Sequence, residues 1–276
     1  MRMRVGLVGL GRMGAAMASR LVETGADVAG YDLDPARGGL PHLADVAAPV
    51  VILSLPEEKA VAAVLATLLP ALPAGAVIAD TSTLSPLAAR DFAGQASARG
   101  IAYLDTPVSG GPAGAAAGTL TVMAGGEAAA LAAARPVLDR VAARILHVGG
   151  PGAGQVAKLV NNLLVATHLV AAGEALRIGR LAGVEPEALL PVINAASGRS
   201  AATEVNLPRW VLPEVESGFT VGLMRKDVRL AMELAQALGA APAACARAAA
   251  VWADAPVADR EDFNRVAAVL LAGQGA

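Results

Sequence analysis

The chain of 276 residues has one cysteine, Cys245, so no intramolecular disulfide can form, which suits a reducing cytoplasm. Its Ala-rich helical surroundings make it a small buried side chain rather than a reactive thiol. Histidine is scarce too. His42, His147 and His168 are scattered, and no HxxxH, CxxC or acidic cluster offers a ligand set, so neither a metal centre nor a nucleophilic triad is expected. His168 reads as a hydrogen-bonded packing residue. Charge of either sign is thin: charged residues make up 17% and the net charge is −2, which gives no field to attract nucleic acid or an anionic membrane. One stretch mimics a membrane span. Residues 60–79 carry no charge, but Pro70, Pro73 and Gly75 interrupt them, and a helix, loop and strand fit better. The opening MRMRVGLVGLG has basic and then apolar residues. It passes straight into a glycine motif without a cleavage-type site, so it is not read as a signal peptide.

Hydrophobic residues, in contrast, make up 55%, which excludes global disorder and supplies a full core for one large domain or two moderate ones. A soluble cytoplasmic protein without nucleic-acid or membrane partners is expected. In the first half, short β-branched runs alternate with amphipathic helical patterns, the signature of a parallel sheet covered by helices. Strands are expected at 4–9, 27–32, 50–55, 76–80, 101–105, 119–124 and 144–149, with helices between them, among them 12–24 and 57–69. Ser85 before Pro86 marks a helix N-cap and first turn. After Gly149-Gly150-Pro151-Gly152 no convincing strand follows. One apolar-periodic run over 153–182 gives a helix of roughly 45 Å, long enough to bridge two domains or a subunit contact. Further helices are expected at 186–195, 201–212, 221–238, 242–254 and 262–272. The fold class is therefore α/β: an N-terminal Rossmann-type doubly wound sheet over 1–151, then an all-α domain over 152–276, opening with a connecting helix at 152–182. There is no internal repeat, and the Ala/Gly enrichment at 110–134 looks compositional apart from the motif within it.

Gly9-Leu10-Gly11-Arg12-Met13-Gly14 is a GxGxxG between an expected strand and an expected helix. Gly9 permits the tight turn, Gly11 lets a pyrophosphate approach the backbone, and Gly14 lets helix and strand pack closely. The helix start then faces the phosphates. Asp32 ends the second strand, where a carboxylate accepts ribose hydroxyls and repels a 2′-phosphate. NAD is thus favoured, with NADP kept as the alternative because Arg37 stands near. Leu55 and Pro56, after the third strand, are assigned to the cofactor as well.

Three segments narrow the chemistry. Asp105-Thr-Pro-Val-Ser-Gly-Gly-Pro-Ala-Gly-Ala115 follows a strand, and Ser109, Gly110 and Gly111 offer a hydroxyl and open amides suited to a carboxylate; alone it reads as a glycine linker. Gly154, Lys158 and Asn162 stand at i, i+4, i+8 on one face of the long helix, a poor packing stripe but a good substrate surface. Lys158 lies in the second turn, where the positive helix end lowers its pKa modestly. Phe219 through Met224-Arg225-Lys226-Asp227 opens another helix with a basic-acidic step, which alone reads as an ion pair.

LVGLGRMGAAMASRL, ADTSTLSP, DTPVSGGPAGAAAGTLTVMAGG, GAGQVAKLVNN, SGRS, GFTVGLMRKD and DFNRV follow in order over nearly the whole chain. Together they resemble the β-hydroxyacid dehydrogenase family, that of 3-hydroxyisobutyrate dehydrogenase, tartronate semialdehyde reductase and the glyoxylate/succinic semialdehyde reductases. The resemblance implies hydride transfer between NAD and a small 3-hydroxy acid or its semialdehyde. Lys158 would be the general acid/base, Asn162 a hydrogen-bonding partner of the substrate, and Ser109, Gly110 and Gly111 the seat of its carboxylate. Thr83 would lie beside nicotinamide and substrate. Phe219 and Asp227 would line the site, with Lys226 near the cofactor. It also implies a homodimer or homotetramer.

One stretch departs from the family. Only 17 residues separate Asp32 from Val50, enough for one crossover but hardly for two helices with a strand between, so a helix, with or without a strand, is expected to be lost or abbreviated there. That loss would leave the adenosine side more open. Two readings of the same fold compete: a 6-phosphogluconate dehydrogenase, which would carry His at Asn161, and an imine reductase, which generally lacks the Lys at 158. A third, of another class, is a sensor that binds NAD without turnover; Lys158, Asn162 and the serine-glycine loop argue against it.

Overall fold

Alternate residues along short strands face opposite ways, and both sets here are apolar. The computed structural model describes residues 3–208 and 217–273. Its two compact units are Met1–Lys158 and Leu159–Ala276. In the first unit, β1 (Arg4–Val8), β2 (Asp27–Tyr31), β3 (Val50–Leu53), β4 (Val77–Asp80) and β5 (Ala102–Asp105) run parallel in the order β2-β1-β3-β4-β5. Val50 and Ile52 face one core with Met17 and Leu21 of α1 (Arg12–Glu23). Val51 and Leu53 face the other with Val61 and Leu65 of α2 (Glu58–Leu68) and Phe92 of α3 (Pro86–Ser97). A sheet covered on both faces needs such continuous apolar strands. The chain leaves β1 towards β2 on one side and β3 on the other. That reversal opens a crevice at the carboxyl ends of the strands, the place where doubly wound sheets bind ligands.

The sheet continues beyond β5 through β6 (Val108–Ser109), β7 (Leu120–Gly125) and β8 (Ala142–Gly149), with β7 antiparallel to β5 and β6 and parallel to β8. The strands expected from sequence are all present. β6 and α4 (Gly111–Ala117) were not expected: two residues are too few for an alternation signal, and an Ala/Gly run hides a helix inside a compositional bias. α5 (Ala128–Leu138) completes the first core. Ser85 caps α3, its hydroxyl accepting from the Ala88 amide at 3.1 Å. Residues 33–49 carry no α-helix or strand, only two 3-10 turns at Pro35–Arg37 and Leu43–Val46, and β2 stands at the edge of the sheet.

α6 (Ala153–Leu181) is long and apolar enough to cross a bilayer by length and composition alone. Its first residues belong to the first unit, where Gly152, just before the helix, and Gln155, in its first turn, donate backbone N–H bonds to the Asp105 carboxylate at 2.8 and 2.9 Å. The units part after Lys158, seven residues beyond the boundary expected from the sequence pattern, because those first turns are bound to the end of β5.

In the second unit α6 is followed by α7 (Pro186–Ala195), a π-helical turn at Ala202–Asn206, α8 (Val221–Ala237), α9 (Ala243–Asp254) and α10 (Arg265–Ala272). Residues 209–212 of the helix expected at 201–212 lie outside the described residues. The core centres on Trp252, fully buried, whose indole N–H donates to the Ala166 carbonyl at 3.1 Å. Cys245, expected to be buried, is only half-buried, and His168, expected in the packing, is exposed on α6.

Candidate active site

The glycine loop stands where its sequence put it, between β1 and α1. Gly9 has φ +93°, and no side chain caps α1 at Gly11, so the helix start presents its amides to the crevice. A Cβ on Gly14 would overlap the Gly9 carbonyl oxygen, so only glycine lets α1 sit this close to β1. Asp32 folds back over the loop: it accepts the Leu10 amide at 2.7 Å and the Asp34 amide at 2.9 Å, and pairs with Arg37 at 3.3 Å. Burial pushes its pKa up, but the two amides and Arg37 outweigh that and hold it below the usual carboxylate value. A charged carboxylate has about four lone-pair sites, so one remains for a ribose hydroxyl. These features fit a dinucleotide. Leu10, Gly11 and Met13 are half-buried, Arg12 is exposed, and Leu55 is half-buried beside exposed Pro56 after β3.

Lys158 is 7% exposed, and its Nζ donates to the Val108 carbonyl at 2.9 Å. The structure thus brings the ammonium against β6, next to Ser109, Gly110 and Gly111. The last two have φ +126° and +63°, which favours glycine at both positions. Gly154 has a different role from the one expected. A Cβ there would come within 2.5 Å of the Asp105 carbonyl oxygen, so its bare face admits the strand end rather than a substrate.

Thr83 is half-buried between two anchored neighbours: Ser82 O accepts from Gln155 Nε2 at 2.9 Å, and Leu84 N donates to Gln155 Oε1 at 3.0 Å. Ser82 Oγ also accepts from the Leu55 amide at 2.9 Å. Below this turn, Asp80 is fully buried and accepts from Ser82 N at 2.9 Å and from the Tyr103 hydroxyl at 2.6 Å. Burial raises its pKa to about 6, with the hydrogen bonds from Ser82 and Tyr103 opposing and the Asp105 charge adding to the rise. Asp105 is likewise raised, by burial first, against the amides that hold it.

In the second unit, Asn162 donates to Asp227 Oδ2 at 2.6 Å and its Oδ1 accepts from Asn161 at 3.1 Å. Both Asn162 and Asp227 are buried, and Lys226 Nζ lies 3.8 Å from the other Asp227 oxygen. The amide thus has one N–H and one lone pair beyond those bonds. Arg225 has gone to structure: it binds the Trp252 and Ala255 carbonyls at 2.8 and 2.7 Å and Asp259 at 2.6 Å. Phe219 meets Phe263 edge to face at 5.6 Å.

Residues 4–149 match the NAD-binding domain of 6-phosphogluconate dehydrogenase, and residues 152–271 match the domain described as NAD-binding of NADP-dependent 3-hydroxyisobutyrate dehydrogenase. The chain belongs to the β-hydroxyacid dehydrogenase family. This member of the family is an oxidoreductase whose cofactor is NAD, with NADP the alternative. It is 39% identical to an NAD-dependent L-serine dehydrogenase of Pseudomonas aeruginosa over 85% of this chain and 86% of that one. It is 36% identical to 2-(hydroxymethyl)glutarate dehydrogenase of Eubacterium barkeri over 83% and 81%. Its structure is similar to that of Mycobacterium tuberculosis 3-hydroxyisobutyrate dehydrogenase with L-serine, at 35% identity and a TM-score of 0.89, covering 98% and 99% of the two chains.

Sequence reasoning passed over Asp105, Gln155 and Ser82. All three lie inside or beside motifs it had singled out, but their partners are remote, and residue type alone did not say where each side chain goes.

Proposed function

We propose that this enzyme interconverts a small 3-hydroxy acid and its semialdehyde, with Lys158 as the general acid/base. The observation that carries this reading is the buried Lys158 ammonium, 2.9 Å from the Val108 carbonyl and next to the serine-glycine loop. Bound NAD supplies the hydride acceptor in oxidation. Residues 1–151 would hold it: the Gly9–Gly14 loop its phosphates and Asp32 its ribose, with Leu55 and Pro56 also against the cofactor and Lys226 of the second unit near it.

Ser109, Gly110 and Gly111 seat the substrate carboxylate. Lys158 Nζ takes the hydroxyl proton in oxidation and returns it in reduction. Asn162, fixed by Asp227 and Asn161, would hydrogen-bond the substrate with its remaining amide capacity, Thr83 would lie beside nicotinamide and substrate, and Phe219 and Asp227 would line the site. Residues 152–276 thus serve substrate binding and oligomerisation. Val160, Leu164, Ile178 and Leu181 of α6 are exposed, which supports a homodimer or homotetramer, and the single cysteine suits the cytoplasm.

The substrate is named by following NADH formation by the wild-type protein at pH 9 on 3-hydroxyisobutyrate, L-serine, glycerate and 4-hydroxybutyrate. Turnover of at least one is expected. Silence on all four, with NADH still bound, counts against the reading.

A further inference from the structure

The first turns of α6 do more than carry Lys158. Gln155, three residues earlier, has a fully buried side chain, and both ends of its amide are engaged on one turn: Oε1 with Leu84 N at 3.0 Å, Nε2 with Ser82 O at 2.9 Å. Its own backbone N–H is held by Asp105 at 2.9 Å. Ser82 in turn takes the Leu55 amide on its hydroxyl at 2.9 Å. A chain of hydrogen bonds therefore links the end of β5, the base of the Lys158 helix, the Thr83 turn and the loop after β3.

We propose that Gln155 is a positioning residue that fixes the Thr83 turn relative to Lys158. The inference rests on the reading of Lys158 and Thr83 given above. Proton and hydride leave adjacent atoms of one substrate, so the group that takes the proton and the turn beside the hydride acceptor must keep one separation. A misplacement of about 1 Å can cost about a hundredfold in rate. A glutamine suits this use because one flat group donates and accepts at once. Packing alone would be served by methionine.

Two variants separate positioning from packing. Gln155→Met keeps the volume and removes both bonds. Gln155→Glu reproduces the amide only when protonated, since an ionised carboxylate would face the Ser82 carbonyl oxygen, and burial favours the protonated form. In oxidation of an accepted hydroxy acid, kcat of Gln155→Met should fall about 10–100-fold, with the NADH dissociation constant within about threefold of wild type. The ratio of Gln155→Glu to wild-type kcat should climb as pH falls from 9 to 6, while that of Gln155→Met stays flat. Hydrogen exchange of a peptide containing Leu84 should quicken in Gln155→Met.

A kcat of Gln155→Met within threefold of wild type would overturn the proposal. So would a flat Gln155→Glu ratio, or a loss of NADH affinity that matches the loss of kcat. Should Gln155→Met fail to fold, the pH-dependent ratio of Gln155→Glu decides alone. Silence of the wild type on every acid refutes the functional reading and the proposal with it, whereas an active wild type with normal variants refutes the proposal only.

Discussion

Lowering the pH should stabilise the dinucleotide-binding unit through Asp80. This carboxyl is fully buried, and its pKa stands at about 6 against an ordinary 3.8. The folded state therefore holds the proton more tightly than the unfolded chain does. Between those two values the native form binds more protons, so stability falls as pH rises through that window. A rise of about two units corresponds to about 3 kcal/mol, absent near pH 3.5 and fully expressed by about pH 7.5. Asp80→Asn mimics the protonated acid: its oxygen can accept from Ser82 N and its NH2 can donate to the Tyr103 oxygen. Asp32 responds in the opposite direction, but it is common to both proteins and cancels in the difference. Calorimetry over pH 4 to 7.5 reads the effect, the relevant transition being the one that NADH shifts upward. The variant should melt with wild type at pH 4 and roughly 6–12 °C above it at pH 7.5. A constant difference, or a variant that loses ground as pH rises, would refute the reasoning, because the carboxylate would then be stabilised in its charged form.

Other consequences are equally direct. Asp227→Ala leaves the buried Asn162 amide without its 2.6 Å acceptor, which should cost about 1.5–3 kcal/mol in an unfolding titration and lower kcat about 10–100-fold; unchanged kcat would separate the pair from catalysis. Asp32→Ala removes the acceptor on the Leu10 amide and one of the two carboxylates that pair with Arg37. Fluorescence titration should show NADH affinity down about tenfold and NADPH affinity improved relative to it, and an unaltered ratio would argue against Asp32 as the discriminating group. Gly14→Ala forces α1 off the Gly9 carbonyl. It should destabilise by about 1–3 kcal/mol and weaken NADH binding more than the substrate KM; wild-type NADH affinity would contradict the close packing.

The parallel sheet was legible because both its faces are buried, so that VVIL and VIAD read as apolar runs between amphipathic helices. The glycine loop was legible because its chemistry is local. Ser85-Pro86 declared the start of α3 for the same reason. What stayed hidden depends on distance along the chain. Asp105 anchors α6 through the Gln155 amide, 50 residues later, and Gln155 reaches back 71 residues to Leu84. No periodicity reports such pairs. Gly154 shows the limit of spacing arguments: its place in line with Lys158 suggested a shared role, but the bare face answers to a strand end. The short 33–49 segment was readable by length alone, since 17 residues cannot hold two helices and a strand.

The central claim is that Lys158 moves the proton. It is tested most directly by NADH formation at pH 9 on an accepted hydroxy acid, wild type and Lys158→Ala side by side, with NADH affinity and melting temperature measured on both. A loss of about 10²–10⁴-fold in rate is expected, with NADH affinity retained. A Lys158→Ala rate within tenfold of wild type would contradict it.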